Sequence, residues 1–177
     1  MSLNHRIKSR IRDVEDFPKP GIVFKDITPL LADPGLIREI IQALANPYRT
    51  KKIDAVAAVE ARGFIFGSLL SQELDCSFIP VRKAGKLPFK SRKQQYSLEY
   101  GSAEIEIHID AIEPGWRVLV HDDLLATGGT ASATGHLIKS FDAEVAGFSF
   151  LVNLSFLSGE KNLAAQFGMA PDFLIKY

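Results

Sequence analysis

The 177-residue chain is poor in sulfur, with one cysteine and two methionines. A lone cysteine, Cys76, excludes an internal disulfide and any zinc site built on paired thiolates. Its neighbours Leu74, Phe78 and Ile79 predict a small buried hydrophobe rather than a nucleophile. Long apolar runs are also missing, and none approaches the ~20 residues that span a bilayer. Residues Met1-Ser2-Leu3-Asn4-His5-Arg6 lack the apolar segment of a secretory signal, which points to a cytoplasmic protein. There is no excess of charge of either sign, because Lys+Arg and Asp+Glu both total 21. That balance argues against nucleic-acid or membrane partners held by bulk attraction.

What remains is an ordinary globular composition, 46% hydrophobic and 24% charged. The length predicts one domain, 1–177, which buries roughly 70% of its unfolded surface. Charge is unevenly placed along it. Residues 1–98 carry 17 basic and 10 acidic side chains, whereas residues 99–177 carry 4 and 11.

Leu3, Ile7, Ile11 and Val14 recur at helical spacing until Phe17-Pro18-Lys19-Pro20-Gly21 ends the segment. A second helix is expected from Pro34 to Ala45, with Asp33 as N-cap, Pro34 at the first position and Leu36, Ile37, Ile40, Ile41 and Leu44 on one face. Ile53–Val59 is then almost uncharged, as a fully buried parallel strand is. Further strands are expected at Ser77–Val81, at 103–110 with one wet face or as an edge hairpin, at Arg117–Val120 and at Val145–Val152. Helices are expected from Gly63 to about Glu73 and after the turn near 128 to about Phe141. Strands alternating with helices give an α/β fold with a mainly parallel twisted sheet flanked by helices. Ligands bind such sheets where strand carboxyl ends meet helix amino ends, at 60–63, 82–86, 121–130 and 153–157.

The most informative stretch runs from Val118 to Thr130. A buried strand leads to Asp122 and Asp123, and then Ala126-Thr127-Gly128-Gly129-Thr130 opens a helix. The loop has no bulky side chain, so its backbone N–H groups can close around an anion with help from the helix dipole. The Thr127 and Thr130 hydroxyls add donors. No Lys follows the glycines, and the spacing is not G-x-G-x-x-G, so neither a Walker A loop nor a dinucleotide fingerprint is present. Two carboxylates beside a phosphate cradle are unfavourable unless ribose hydroxyls or hydrated magnesium engage them.

This stretch resembles the phosphoribosyl pyrophosphate motif of type I phosphoribosyltransferases. Asp122-Asp123-Leu124-Leu125-Ala126-Thr127-Gly128-Gly129-Thr130 is most similar to the form found in the adenine phosphoribosyltransferases. Matches extend through Phe17–Leu31, Glu60-Ala61-Arg62-Gly63-Phe64, Arg82-Lys83-Ala84-Gly85-Lys86-Leu87-Pro88 and Tyr96-Ser97-Leu98-Glu99-Tyr100-Gly101. The resemblance implies that adenine and phosphoribosyl pyrophosphate give AMP and pyrophosphate. It also implies Mg2+ held mainly by substrate and waters, and a homodimer.

The reaction separates pyrophosphate from ribose C1′ while purine N9 bonds to it, through a transition state with oxocarbenium character. By resemblance, residues 126–130 hold the 5′-phosphate and Asp122 and Asp123 face the ribose hydroxyls. Arg62, Arg82, Lys83 and Lys86 follow buried strands and are expected to act on the pyrophosphate as its charge develops. Lys90, Arg92 and Lys93 fit a solvated loop equally well. The resemblance makes Glu99 the general acid/base at adenine N7, while Tyr100 fits lining and packing roles equally. Residues 1–33 are expected to form a base-binding hood, in which the Val23-Phe24-Lys25 backbone reads the adenine edge. Phe24 and Leu154 would sandwich the ring. Residues 84–98 have no clear periodicity and are expected to be a flexible lid loop that closes over substrate.

Two departures stand out. Asn153 occupies a position where the family commonly has an acid, which weakens the inference about the base. His121 replaces an aliphatic residue before the acidic pair, and a structural role is expected for it. The rival readings are a phosphoribosyltransferase for another purine base and a non-enzymatic nucleotide-sensing regulator. The latter is disfavoured because one helix before residue 20 is too little for a helix-turn-helix.

Overall fold

The computed structural model of the chain describes residues 1–97 and 101–177. Internal contacts divide these into two units, Met1–Ala43 and Leu44–Tyr177.

In the first unit, helix α1 (Leu3–Arg10) starts where the Ser2 hydroxyl accepts from the His5 N–H at 3.3 Å. The expected helix through Val14 is shorter than its spacing suggests. Ile11 is extended, and Arg12–Val14 forms β1, antiparallel to β2 (Phe24–Asp26). The apolar repeat ends at Val14, too short to carry the helix past Arg10, and the cross-strand ion pair of Lys25 Nζ with Asp13 Oδ1 at 2.7 Å favours the ladder. The 16–22 connection turns where Asp16 Oδ1 accepts from the Gly21 N–H at 2.7 Å. Helix α2 (Pro34–Ala45) has the expected cap, with the Leu36 N–H donating to Asp33 Oδ1 at 3.0 Å. Leu36, Ile40, Ile41 and Leu44 are buried along one face.

The second unit is built on a seven-stranded sheet. Its strands are β3 (Ala55–Val59), β4 (Ser77–Lys83), β5 (Ser91–Ser97), β6 (Ser102–His108), β7 (Arg117–Leu125), β8 (Glu144–Asn153) and β9 (Asp172–Lys176). Their spatial order is β5-β6-β4-β3-β7-β8-β9. Strands β4, β3, β7, β8 and β9 pair in parallel, whereas β6 pairs antiparallel with both β4 and β5. Helices α3 (Gly63–Glu73), α4 (Gly129–Lys139) and α5 (Gly159–Phe167) connect the parallel strands. Every residue of β3 is buried, as its uncharged run requires of a strand covered on both faces.

Four expectations are corrected. The 84–98 segment is not one irregular loop, because Ser91–Ser97 is an edge strand in full register with β6, from Ser91 opposite His108 to Ser97 opposite Ser102. Its string of polar residues hid it, since an edge strand needs little apolar alternation. Strand β4 continues past Val81 to Lys83, so Arg82 and Lys83 lie on the strand, opposite Glu106 and Ile105. The face of β6 expected to be wet is dry at Glu106, which is 2% exposed. Cys76 is only half-buried, and burial pushes its thiol up to about 11, away from the nucleophilic range.

Candidate active site

Strand β7 carries Asp122 and Asp123 as its own residues and ends at Leu125. The chain then turns through Ala126, Thr127 and Gly128 into α4. Gly128 has φ +84, a left-handed conformation that a Cβ would strain. The loop is fastened from below. Asn162 Nδ2 donates to the Thr127 carbonyl at 2.9 Å, and the Leu154 N–H donates to the Leu125 carbonyl at 2.9 Å. Gly159 lies so close that a Cβ there would sit 2.3 Å from the Ala126 carbonyl oxygen. A cavity of about 80 Å³ is lined by Asp122, residues 124–131 and Phe150, and the amino end of α4 opens beside it. Small residues and the amino end of α4 thus border one small cavity, the place the sequence reading assigns to a phosphate.

The two carboxylates differ in their surroundings. Asp123 is buried and lies 3.0 Å from Arg62 Nε, at the start of α3. Burial raises the Asp123 pKa and the Arg62 charge opposes it. Asp122 is pushed further above the usual carboxylate range, first by burial and then by the adjacent Asp123 charge. Its Oδ1 accepts from the Asp123 N–H at 2.9 Å. The structure thus brings Arg62 to the acidic pair, an ion pair that the sequence reading did not include. Beneath them His121 is wholly buried, with Nδ1 3.3 Å from Ser149 Oγ, and burial lowers its pKa to about 3. A neutral imidazole in the sheet interior fits the structural role expected for it.

A second cationic cluster lies at the end of β4. Arg82 Nε donates to Glu60 Oε2 at 2.7 Å, and Arg82 Nη1 donates to the Lys86 carbonyl at 3.0 Å. Glu60 and Arg62 share the short β3–α3 connection, so two guanidinium–carboxylate pairs flank it. Lys83 and Lys86 are exposed. The Lys86 and Leu87 N–H groups both donate to Glu106 Oε1 at 2.9 Å, and Ser91 Oγ donates to Glu106 Oε2 at 2.7 Å. Glu106 was missed because alternation assigned it to the wet face, and no sequence signal marks it as buried. Farther along β5, Thr130 Oγ1 donates to Tyr96 Oη at 3.2 Å.

In the first unit, Phe24 packs edge-on against Phe17 with ring centroids 5.1 Å apart, and Lys25 holds Asp13. Val23 is 47% exposed. In the second unit Leu154 is half-buried just beyond β8. Asn153 is fully buried, and its Nδ2 donates to Glu160 Oε2 at 3.0 Å. A carboxylate from α5 therefore reaches the position where the sequence has an amide. Glu99 and Tyr100 lie outside the described residues, as does Leu98 at the end of the expected lid.

Comparison with known proteins agrees with this geometry. A family profile described as "phosphoribosyl transferase domain" matches residues 26–162. An adenine phosphoribosyltransferase of Cytophaga hutchinsonii is 52% identical over 162 residues, covering 92% of this chain and 90% of its own. The crystal structure of adenine phosphoribosyltransferase from Rhodothermus marinus superposes with a TM-score of 0.93 at 48% identity, covering 99% of this chain and 98% of its own. That from Saccharomyces cerevisiae, complexed with an imino-altritol bisphosphate and adenine, gives 0.89 at 38% identity, with 97% and 98% covered.

Proposed function

The chain belongs to the adenine phosphoribosyltransferases, within the phosphoribosyl transferase domain family, and from that membership we propose how its residues carry out the reaction. Adenine and phosphoribosyl pyrophosphate give AMP and pyrophosphate, a purine-salvage step. The observation that carries the reading is the Asp122–Thr130 stretch at the end of β7, where Asp122 and the small residues of the loop line a cavity of about 80 Å³.

The 5′-phosphate sits against the N–H groups of 126–130 and the Thr127 and Thr130 hydroxyls. Asp122 and Asp123 accept from the ribose hydroxyls. Arg62, Arg82, Lys83 and Lys86 hold the pyrophosphate, so their positive charge acts where negative charge grows as the C1′–O bond breaks. The family resemblance assigns the adenine edge to the Val23–Lys25 backbone, with Phe24 against the ring. The N9 lone pair forms the new bond to C1′, and Glu99 takes the proton from N7, which keeps the nucleotide product neutral at the base.

Among the described residues, no three His, Cys, Asp or Glu side chains cluster as a metal cage. With Asp123 paired to Arg62, that donor set fits a magnesium ion that arrives on the substrate's oxygens and keeps its waters. When bound, the ion neutralises part of the pyrophosphate charge. No helix among the described residues is long and apolar enough to cross a membrane. The reading includes a cytoplasmic homodimer, supported by the family resemblance.

The test is pyrophosphate release with phosphoribosyl pyrophosphate, magnesium and each purine base in turn. Turnover with adenine far above hypoxanthine and guanine is expected; a preference for either of those would overturn the adenine assignment. Glu99→Gln should lower kcat by about 10²–10⁴-fold with little change in substrate binding. Wild-type turnover in that variant would remove Glu99 from the mechanism.

A further inference from the structure

The least expected group in the second unit is Glu106. It is a charged side chain, 2% exposed, in a strand whose sequence predicts a solvated acid at that position. Burial disfavours its charged form, yet donation from Ser91 and from the Leu87 and Lys86 amides, with Lys93 nearby, outweighs that and lowers its pKa. It is held as a carboxylate, and all three donors come from one short stretch of chain.

That stretch is the turn after β4. The Ala84 N–H donates to the Glu104 carbonyl at 2.9 Å, Gly85 has φ +82, and the Lys86 N–H is shared between the Lys83 carbonyl and Glu106 Oε1. The apolar residues of the turn are Ala84, half-buried Leu87 and Phe89, which is exposed and meets the His108 ring edge-on at 6.1 Å, and Lys86 itself is exposed. The turn's backbone is tied down by polar anchors, of which Glu106 supplies two to the turn and a third to Ser91, where β5 begins. The anchoring reaches the cations directly, because the Lys86 carbonyl fixed in this way accepts from Arg82 Nη1. From its other side Arg82 is held by Glu60.

We propose that Glu106 is a positioning residue for pyrophosphate recognition: its buried carboxylate sets the 84–87 turn and, through the Lys86 carbonyl, the orientation of the Arg82 guanidinium. The inference rests on the assignment of Arg82 and Lys86 to pyrophosphate. A carboxylate suits the task because it only accepts, so one oxygen can take two converging amides while the other takes the hydroxyl. A glutamine retains most of this, with its oxygen on the two amides and its NH2 turned to a Ser91 hydroxyl that now accepts. Alanine retains none of it, leaving the Leu87 amide without this acceptor and the Lys86 amide with only the Lys83 carbonyl at 3.2 Å.

The experiment is steady-state kinetics on the full chain with each substrate varied, for Arg82→Ala, Lys86→Ala, Glu106→Ala, Glu106→Gln and Ser91→Ala. Glu106→Ala should raise KM for phosphoribosyl pyrophosphate by about 10–100-fold with KM for adenine unchanged. Glu106→Gln should stay within about three-fold of wild type, and Ser91→Ala, which loses one donor, should shift the same KM by roughly three-fold. Hydrogen exchange at the Lys86 and Leu87 amides should accelerate in the alanine variant and not in the glutamine variant. If Arg82→Ala and Lys86→Ala leave that KM unchanged, the cation assignment fails. If they raise it while Glu106→Ala does not, or raises both KM values together, the positioning role fails. Should Glu106→Ala not fold, wild-type kinetics in Ser91→Ala, or a full loss in Glu106→Gln, overturns it.

Discussion

Substitution of Gly159 by alanine tests whether the phosphate cradle depends on how closely α5 approaches it. The first residue of α5 lies under the loop, and an added Cβ would stand 2.3 Å from the Ala126 carbonyl oxygen and 2.9 Å from Leu125 Cδ1. Carbon–oxygen contacts relax at about 3.3 Å, so backbone must move by about 1 Å. Leu125 is buried and cannot swing into solvent, and the loop is tied to α5 through Asn162, so the strain falls on residues 126–128. Overpacking of this kind costs about 1–3 kcal/mol. For a domain of this size that corresponds to a Tm lower by about 2–12 °C. A displacement of 1 Å in a group that holds substrate lowers efficiency by about 10²-fold. The measurements are thermal unfolding and the KM for each substrate. Gly159→Ala should lower Tm and raise KM for phosphoribosyl pyrophosphate, with KM for adenine unchanged. A fall in Tm with an unaltered KM would mean that α5 moves and the loop does not, and native values of both would refute the close-contact argument.

Two further outcomes follow from buried polar groups, His121 in the sheet and Tyr48 packed against it. His121 has a folded pKa of about 3 against 6.5 when exposed, so below pH 6.5 the unfolded chain binds a proton that the folded chain refuses. This part of the stability is complete above pH 6.5 and falls by about 1.4 kcal/mol per pH unit down to about pH 3; urea unfolding at pH 6.5 and 5 should show about 2 kcal/mol of pH dependence that His121→Gln lacks, and parallel curves would reject the assignment. Tyr48 is buried with its hydroxyl 2.7 Å from Asp172 Oδ2 and 3.3 Å from the Phe148 carbonyl, so Tyr48→Phe should cost about 1–2 kcal/mol in equilibrium unfolding without changing turnover.

How much of this was legible in the sequence depended on what kind of signal each element carries. Strands covered on both faces announce themselves by composition, as Ala55–Val59 does, and the phosphate loop does so by the absence of side chains. Helix α2 was readable to the residue because its cap, its proline and its apolar stripe agree. The edge strand β5 was not, since a strand of Ser, Arg, Lys and Gln is defined by the partner it pairs with, and that partner begins only at Ser102. Helix α5 and strand β9 were also passed over, although α5 supplies Gly159, Glu160 and Asn162 to the underside of the site. The strand-end cations were found, but not their carboxylate partners. Pairing across β3, β4 and β7 is a property of the sheet order, which no local pattern encodes.

Those partners explain how a chain with no net charge can offer a site to a strongly anionic substrate. Arg62 and Arg82 do not stand in the sheet end as bare cations; Asp123 and Glu60 neutralise them there. On the proposed assignment of Arg62 and Arg82 to pyrophosphate, substrate binding is an exchange of partners, in which the guanidinium groups turn part of their hydrogen bonding from carboxylate to substrate. Such an exchange costs less reorganisation than assembling cations from solvent, because both arginines are already oriented. It also answers the difficulty raised by two aspartates beside a phosphate cradle. The Asp123 charge is met by Arg62, while burial and the neighbouring Asp123 charge push Asp122 toward its neutral form. If the proposed roles of 126–130 and the acidic pair hold, an incoming phosphate meets that loop without two full negative charges behind it, and the ribose hydroxyls meet acceptors whose charge is already offset.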